Sequence, residues 1–167
     1  MLKRLVLGIA TLALVGCANV TPTGGTYKAL PLDRNSGELV VYRSGGYPLL
    51  AGDIAQVFVG GKPLGHLFHG MFIQESMPIG EHVVQVQRSS NQRYFWRFPP
   101  VAVKVNVTST EPVFVELDMT TFKSGAAIPL GGLVLGGSTS GIQIQQVPAQ
   151  TGLKATEGMK RVLSTDK

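Results

Sequence analysis

A period-two alternation of apolar and polar residues is the feature that most constrains this chain. Valine occupies every second position over residues 101–107, and Val113, Val115 and Leu117 alternate with Glu116 and Asp118. Successive side chains of a β-strand point to opposite faces, so this pattern indicates strands with one buried and one solvated face. Helical spacing occurs only over residues 153–163. The sequence therefore predicts an all-β fold with a short C-terminal helix.

Similar short apolar stretches recur between glycines and prolines. Strands are predicted over residues 39–43, 54–59, 62–68, 71–77, 82–87, 94–98, 101–107, 113–117 and 142–147. Gly60 and Gly61 suit a hairpin turn, because glycine adopts positive φ without strain. Many short strands at regular spacing are typical of a sandwich or a small barrel. We predict a single antiparallel β-sandwich over residues 37–148.

The N-terminus has the order of a secretory signal peptide. Lys3 and Arg4 precede an apolar stretch over residues 5–14, which is followed by small residues. A transmembrane anchor is the alternative, but a spanning helix needs about 20 apolar residues and this stretch is shorter.

The residues that end this stretch resemble the lipobox of bacterial lipoproteins: Leu14, Val15, Gly16 and Cys17. The resemblance implies that Cys17, the only cysteine, carries several acyl chains, palmitate included, and becomes the first mature residue. Several chains hold a protein firmly on a membrane, since each buried methylene contributes about 0.8 kcal/mol. Ala18 stands where an aspartate would favour the inner membrane in such lipoproteins, so we expect the outer membrane, facing the periplasm.

Four segments follow from these patterns. Residues 1–16 are the signal peptide that is removed, and residues 17–36 are the lipidated cysteine and a flexible tether rich in threonine, proline and glycine. Residues 37–148 form the sandwich, and residues 149–167 form a tail or short helix.

Charge and composition exclude several function classes. The net charge of +5 falls to about +3 without Lys3 and Arg4, and the charges are scattered, unlike the concentrated basic stripe of nucleic-acid-binding proteins. His66 and His69 are three apart and would point to opposite faces of a strand, which argues against a metal site. The chain has no Gly-x-Ser-x-Gly motif, and its only cysteine is expected to carry the lipid. It is therefore predicted to have no catalytic residues, metal or cofactor.

Residues 93–98 are the first candidate contact segment. In an extended chain Tyr94 and Trp96 lie on one face, with Arg93 and Arg97 on the other. The aromatic face belongs either to the core, since aromatic residues dominate cores, or to a partner surface, since Trp, Tyr and Arg anchor interfaces.

Residues 125–141 are the second candidate, because almost no polar side chain occurs at their centre. Leu130, Leu133 and Leu135 lie among glycines in a stretch too short to cross a bilayer as a helix. The segment is either a glycine-rich loop over the sandwich, or a loop that packs on a neighbouring subunit or dips into the membrane surface.

Two further stretches carry a resemblance to a known family. VFVGGKPLGHL at residues 57–67 and PIGEHVVQV at residues 78–86 are similar to domain-of-unknown-function family 2846, small bacterial lipoprotein domains with a PEGA-like sandwich. The likeness covers residues 38–147 and implies a fold and a compartment, but no activity.

The sequence therefore predicts a membrane-anchored envelope lipoprotein, not an enzyme, that acts as a structural or adaptor module. Its partners would be the membrane, through Cys17, and an envelope protein or a second copy of itself. A binding protein for a small envelope lipid or glycan, with a deep apolar cavity in the sandwich mouth flanked by Arg97 or a histidine, is the alternative.

Overall fold

The computed structural model describes residues 24–44, 54–89, 99–119 and 142–163, together with the backbone of residues 121–123, 128–130, 133–135 and 138–140. The predicted strands that fall within these ranges are all present, as is the predicted all-β sandwich. The predicted strand over residues 94–98 lies outside the described residues.

One sheet has five strands in the order β12-β7-β1-β4-β13. Its members are β1 (Ser36–Arg43), β4 (Met71–Pro78), β7 (Val113–Asp118), β12 (Gln143–Val147) and the short β13 (Lys160–Arg161). The sheet is mixed, which corrects the expectation of a purely antiparallel sandwich: β1 is parallel to β7, and β13 is parallel to β4. Each parallel pair joins strands that are separated along the chain by several other strands.

The other sheet has four antiparallel strands in the order β3-β2-β5-β6. They are β2 (Ala55–Val59), β3 (Lys62–Leu67), β5 (Gly80–Arg88) and β6 (Val101–Val107). The predicted hairpin turn joins β2 to β3, with φ of 56° at Gly60 and 80° at Gly61.

The main core fills the space between the sheets with apolar residues at alternate strand positions. Val84 and Val86 of β5 are fully buried, as are Val115 and Leu117 of β7. Both sheets thus supply alternate residues to one apolar layer, which is the usual core of a β-sandwich.

A second apolar layer covers the outer face of the five-stranded sheet. Val40, Tyr42, Phe72 and Phe114 are fully buried there. They pack beneath helix α1 (Ala149–Thr156) and an irregular N-terminal segment that contains Tyr27. This face was expected to be solvated; the helix and the N-terminal segment are what remove Phe114 from water.

The C-terminal helix is present, but its bounds differ from the predicted 153–163. It ends at Thr156, and the chain then turns through Gly158, at φ 82°, into β13. Gly152 allows the helix to approach the sheet, because a Cβ at this position would lie 2.0 Å from Cγ of Phe114.

Candidate functional site

The strand directions define two ends of the sandwich. Arg43 and Leu117 pair at the ends of the parallel strands β1 and β7, and β3 connects to β4 at this end through residues 68–70. We call this the loop end, and it includes the last residue of β5, Arg88. The opposite end, where Pro78 and Gly80 join β4 to β5, is the turn end.

The N-terminal segment reaches the sheet at the loop end. Gly24 N donates a hydrogen bond to Arg161 O at 2.6 Å, and Arg161 N donates to Gly25 O at 3.1 Å. Arg161 is paired with Phe72, near the loop-end terminus of β4. Gly24, the described residue nearest to Cys17 in the chain, therefore lies at the loop end.

From Gly24, residues 24–35 cross the outer face toward the turn end; we call them the strap. The ring of Tyr27 lies 6.2 Å from that of Phe72 and 5.8 Å from that of Phe114, measured between centroids. Gln74 Nε2 donates to Lys28 O at 2.7 Å. Residues 17–36 were expected to form a flexible tether; the strap has no helix or strand, yet aromatic packing and hydrogen bonds hold it to the sheet.

A buried carboxylate lies beneath the strap. Glu38 is 2% exposed, and its Oε1 accepts a hydrogen bond from Gln74 Nε2. Burial, followed by the neighbouring Glu38 carboxylate, raises the pKa of Tyr27 to about 12. Arg161 donates from its guanidinium to Gln74 O at 3.0 Å. The strap, Glu38 and β13 are thus joined by polar contacts beside the aromatic residues of the outer face.

Several predicted site residues lie outside the described residues, and they stay predictions. These are the lipobox and lipidation residues Leu14, Val15, Gly16 and Cys17, and the contact candidates Arg93, Tyr94, Trp96 and Arg97. The structure does place the residues that flank the contact candidates. Ser89 N bonds to Ile54 O, and β6 begins at Val101, opposite Val86, so both flanks of this segment are at the loop end.

The second candidate segment extends the β7–β12 hairpin. Asp118 opposes Gln143, and three positions further β8 (Thr121–Lys123) continues the same register with β11 (Ser138–Ser140), so that Thr121 opposes Ser140. Beyond it, β9 (Ile128–Leu130) pairs with β10 (Leu133–Leu135). We call Thr121–Ser140 the arm. It contains the predicted contacts Leu130, Leu133 and Leu135, and its root is at the loop end.

The described histidines lie at separate places in the sandwich. Among the described residues no three His, Cys, Asp or Glu side chains form a group that could hold a metal ion. His66 lies within β3, His69 lies in the turn after it, and His82 Nε2 is 2.7 Å from Pro78 O.

Glu116 and Asp118, two carboxylates expected to be solvated, are instead half-buried on the outer face. Glu116 Oε2 accepts a hydrogen bond from Gln145 Nε2 at 3.2 Å. Burial, followed by the Glu116 carboxylate, raises the pKa of Tyr42 to about 12. Glu116 therefore belongs to the same partly covered surface as the strap.

An open groove of about 460 Å³ separates the strap from the helix. Tyr27 and Thr26 line one side, and Leu153, Lys154 and Glu157 line the other. The small-ligand alternative places a deep apolar cavity in the sandwich mouth, flanked by Arg97 or a histidine; this groove lies elsewhere, and Arg97 is outside the described residues, so the alternative stays a prediction.

Comparisons with known proteins identify no relative: no family model matches the chain, and no curated protein or solved structure matches it. The resemblance to domain-of-unknown-function family 2846 stays a prediction. Within the described part of the chain, no helix has the length and apolar character needed to span a bilayer.

The outer face is what sequence reasoning missed. One signal was present, because Leu39, Val40, Val41 and Tyr42 form an uninterrupted apolar run, which is typical of a strand that is buried on both faces.

Proposed function

We propose that this protein is a lipoprotein of the bacterial envelope that acts as a non-catalytic adaptor and presents its loop end to a protein partner. The lipobox-like residues ending at Cys17 support the anchor. Both the strap terminus at Gly24 and the flanks of residues 93–98 lie at the loop end. This shared location is the observation that carries the proposal.

The anchor determines which partners can reach that surface. Seven residue steps separate Cys17 from Gly24, and an extended chain of this length spans at most about 25 Å. A lipid on Cys17 would therefore hold the loop end near the outer membrane, on its periplasmic side. The partner is accordingly a protein in or on the same membrane, or a second copy of this chain.

Lipidation is tested first. Cys17→Ser is expected to leave the precursor uncleaved and unlabelled by radioactive palmitate, because the acyl acceptor is gone. The native chain serves as the positive control. Equal labelling of both proteins would refute the anchor.

The adaptor role is tested by photo-crosslinking in intact cells. A photoreactive residue at Trp96 is expected to give reproducible adducts with one envelope protein, or with a second copy of the chain, identified by mass spectrometry. The matched control is Lys62, which is exposed in the turn-end hairpin, and it should give none of these adducts. Adducts at Lys62 alone, or at neither position, would contradict the proposal.

A further inference from the structure

The arm begins at the same end of the sandwich as the strap terminus, and its central residues are apolar. The β8–β11 ladder continues the β7–β12 register for five residues beyond Asp118, which is about 17 Å of strand. The chain from Asp118 to Leu130 could reach at most about 40 Å. By the same measure Cys17 is at most about 25 Å from Gly24. A lipid on Cys17 therefore brings the bilayer within reach of the arm.

The register groups apolar positions at the tip of the arm. Ile128 opposes Leu135, and Leu130 opposes Leu133. Opposed positions and positions two apart share a face of a two-stranded ribbon, so these four residues occupy one face by register. Four branched apolar residues that share one face favour contact with another apolar surface over contact with water.

The charge of the arm favours contact with lipid over contact with a protein surface that is acidic or of mixed charge. From Met119 to Thr156 the chain contains no aspartate or glutamate, and within the arm the only charged residue is Lys123. A single cation several positions before an apolar tip suits anionic headgroups, with the tip located among the acyl chains.

We propose that the tip of the arm, Ile128–Leu130 with Leu133–Leu135, inserts into the bilayer that holds the lipid on Cys17. The arm is then a second membrane contact that fixes the orientation of the sandwich, which a single flexible attachment could not do. This inference rests on the proposed lipid anchor, because the anchor makes the bilayer the surface nearest to the arm.

The test uses the full, lipidated chain in vesicles of phosphatidylethanolamine and phosphatidylglycerol. A cysteine introduced by Leu133→Cys would be the only free thiol, since Cys17 would be acylated, and it is labelled with an environment-sensitive fluorophore. The matched control is Lys62→Cys, at the turn end. Lipids with brominated acyl chains are expected to quench the fluorophore at position 133 at least twofold and to leave the one at position 62 unchanged.

Two readouts separate failure of this inference from failure of the anchor. Flotation with the vesicles and the mass of the Cys17 peptide report the anchor alone. A protein that floats and is acylated, yet shows equal quenching at positions 133 and 62, would overturn insertion of the arm. Disulfide-linked dimers of unlabelled Leu133→Cys in these vesicles, without quenching of the labelled form, would also overturn it and assign the tip to a second copy. A protein that is not acylated would refute the anchor, and with it the premise of this inference.

Discussion

The two ends of the sandwich differ in how the chain connects its strands. At the turn end the connections are two residues between β2 and β3, one between β4 and β5, and five between β6 and β7. At the loop end they are 11 residues between β1 and β2, 12 between β5 and β6, and 24 between β7 and β12; only the three-residue β3–β4 connection is short. Short connections fix the scaffold, whereas long ones on a rigid scaffold are where function concentrates.

Backbone contacts explain why the turn end is closely packed. Ile79 N donates to Asn35 O at 3.1 Å, and Gly60 N donates to Val83 O at 3.0 Å. A Cβ at Gly37 would lie 2.0 Å from the carbonyl oxygen of Thr108. The turn end therefore has little space for additional atoms.

The largest effect is expected from adding a methyl group at the turn end. Gly37→Ala should lower the free energy of unfolding by about 3 kcal/mol, because the clash is with backbone that cannot move without displacing a strand. Urea denaturation measures the change. The loop-end control is Gly25→Ala, where a Cβ would have nothing within 4 Å. Equal losses of unfolding free energy in the two variants would contradict the difference in packing between the two ends.

A smaller effect is expected where the helix covers the sheet. Gly152→Ala should cost about 2 kcal/mol, because the clash with Phe114 outweighs the gain of about 1 kcal/mol in helix propensity. Thr151→Ala, at an exposed position of the same helix, is the control and should change the unfolding midpoint little. An unchanged midpoint for Gly152→Ala would mean that the helix does not pack closely against Phe114 on the outer face.

The smallest effect concerns two tyrosines of the outer layer, Tyr27 in the strap and Tyr42 in β1. An unfolded chain loses phenolic protons near pH 10, whereas burial and the carboxylates of Glu38 and Glu116 raise the pKa of Tyr27 and Tyr42 to about 12. This contribution to stability is complete below pH 10 and is lost as the pH rises from 10 to 12.

Thermal unfolding measured between pH 9 and pH 12 tests this dependence. The midpoint of the native protein should fall across that window, and that of a variant with Tyr27→Phe and Tyr42→Phe should fall less. Parallel curves would show that the strap and the sheet do not bury these hydroxyls.

The strands could be predicted from sequence wherever apolar and polar residues alternate, because one face of such a strand is buried and the other is in water. The valines of β6 and the Gly60–Gly61 turn indicate their structure directly. The parallel pairing of β1 with β7 could not be predicted, because it depends on the route of the chain between the sheets. The outer layer was missed because Tyr27 lies in an irregular segment, and no local period marks such a residue as buried.

The candidate site, like the fold, could be predicted only in part. Leu130, Leu133 and Leu135 stood out by composition, but their position in an arm depends on the pairing of β7 with β12, whose opposed residues are more than twenty positions apart in the chain. The strap terminus and the root of the arm lie at the same end of the sandwich. This shared location depends on the arrangement of the strands in the sheets, and no local sequence pattern indicates it.

The most direct test of the central claim, that the loop end faces the membrane, is energy transfer from the protein to acceptor-labelled lipids. A donor is attached to the acylated chain in vesicles through Pro100→Cys, at the loop end, or Lys62→Cys, at the turn end; both positions are exposed. The eight residues of β1 span about 26 Å between the ends, so the two donors should differ clearly in transfer efficiency. We predict stronger transfer from position 100; equal transfer, or stronger transfer from position 62, would contradict the account.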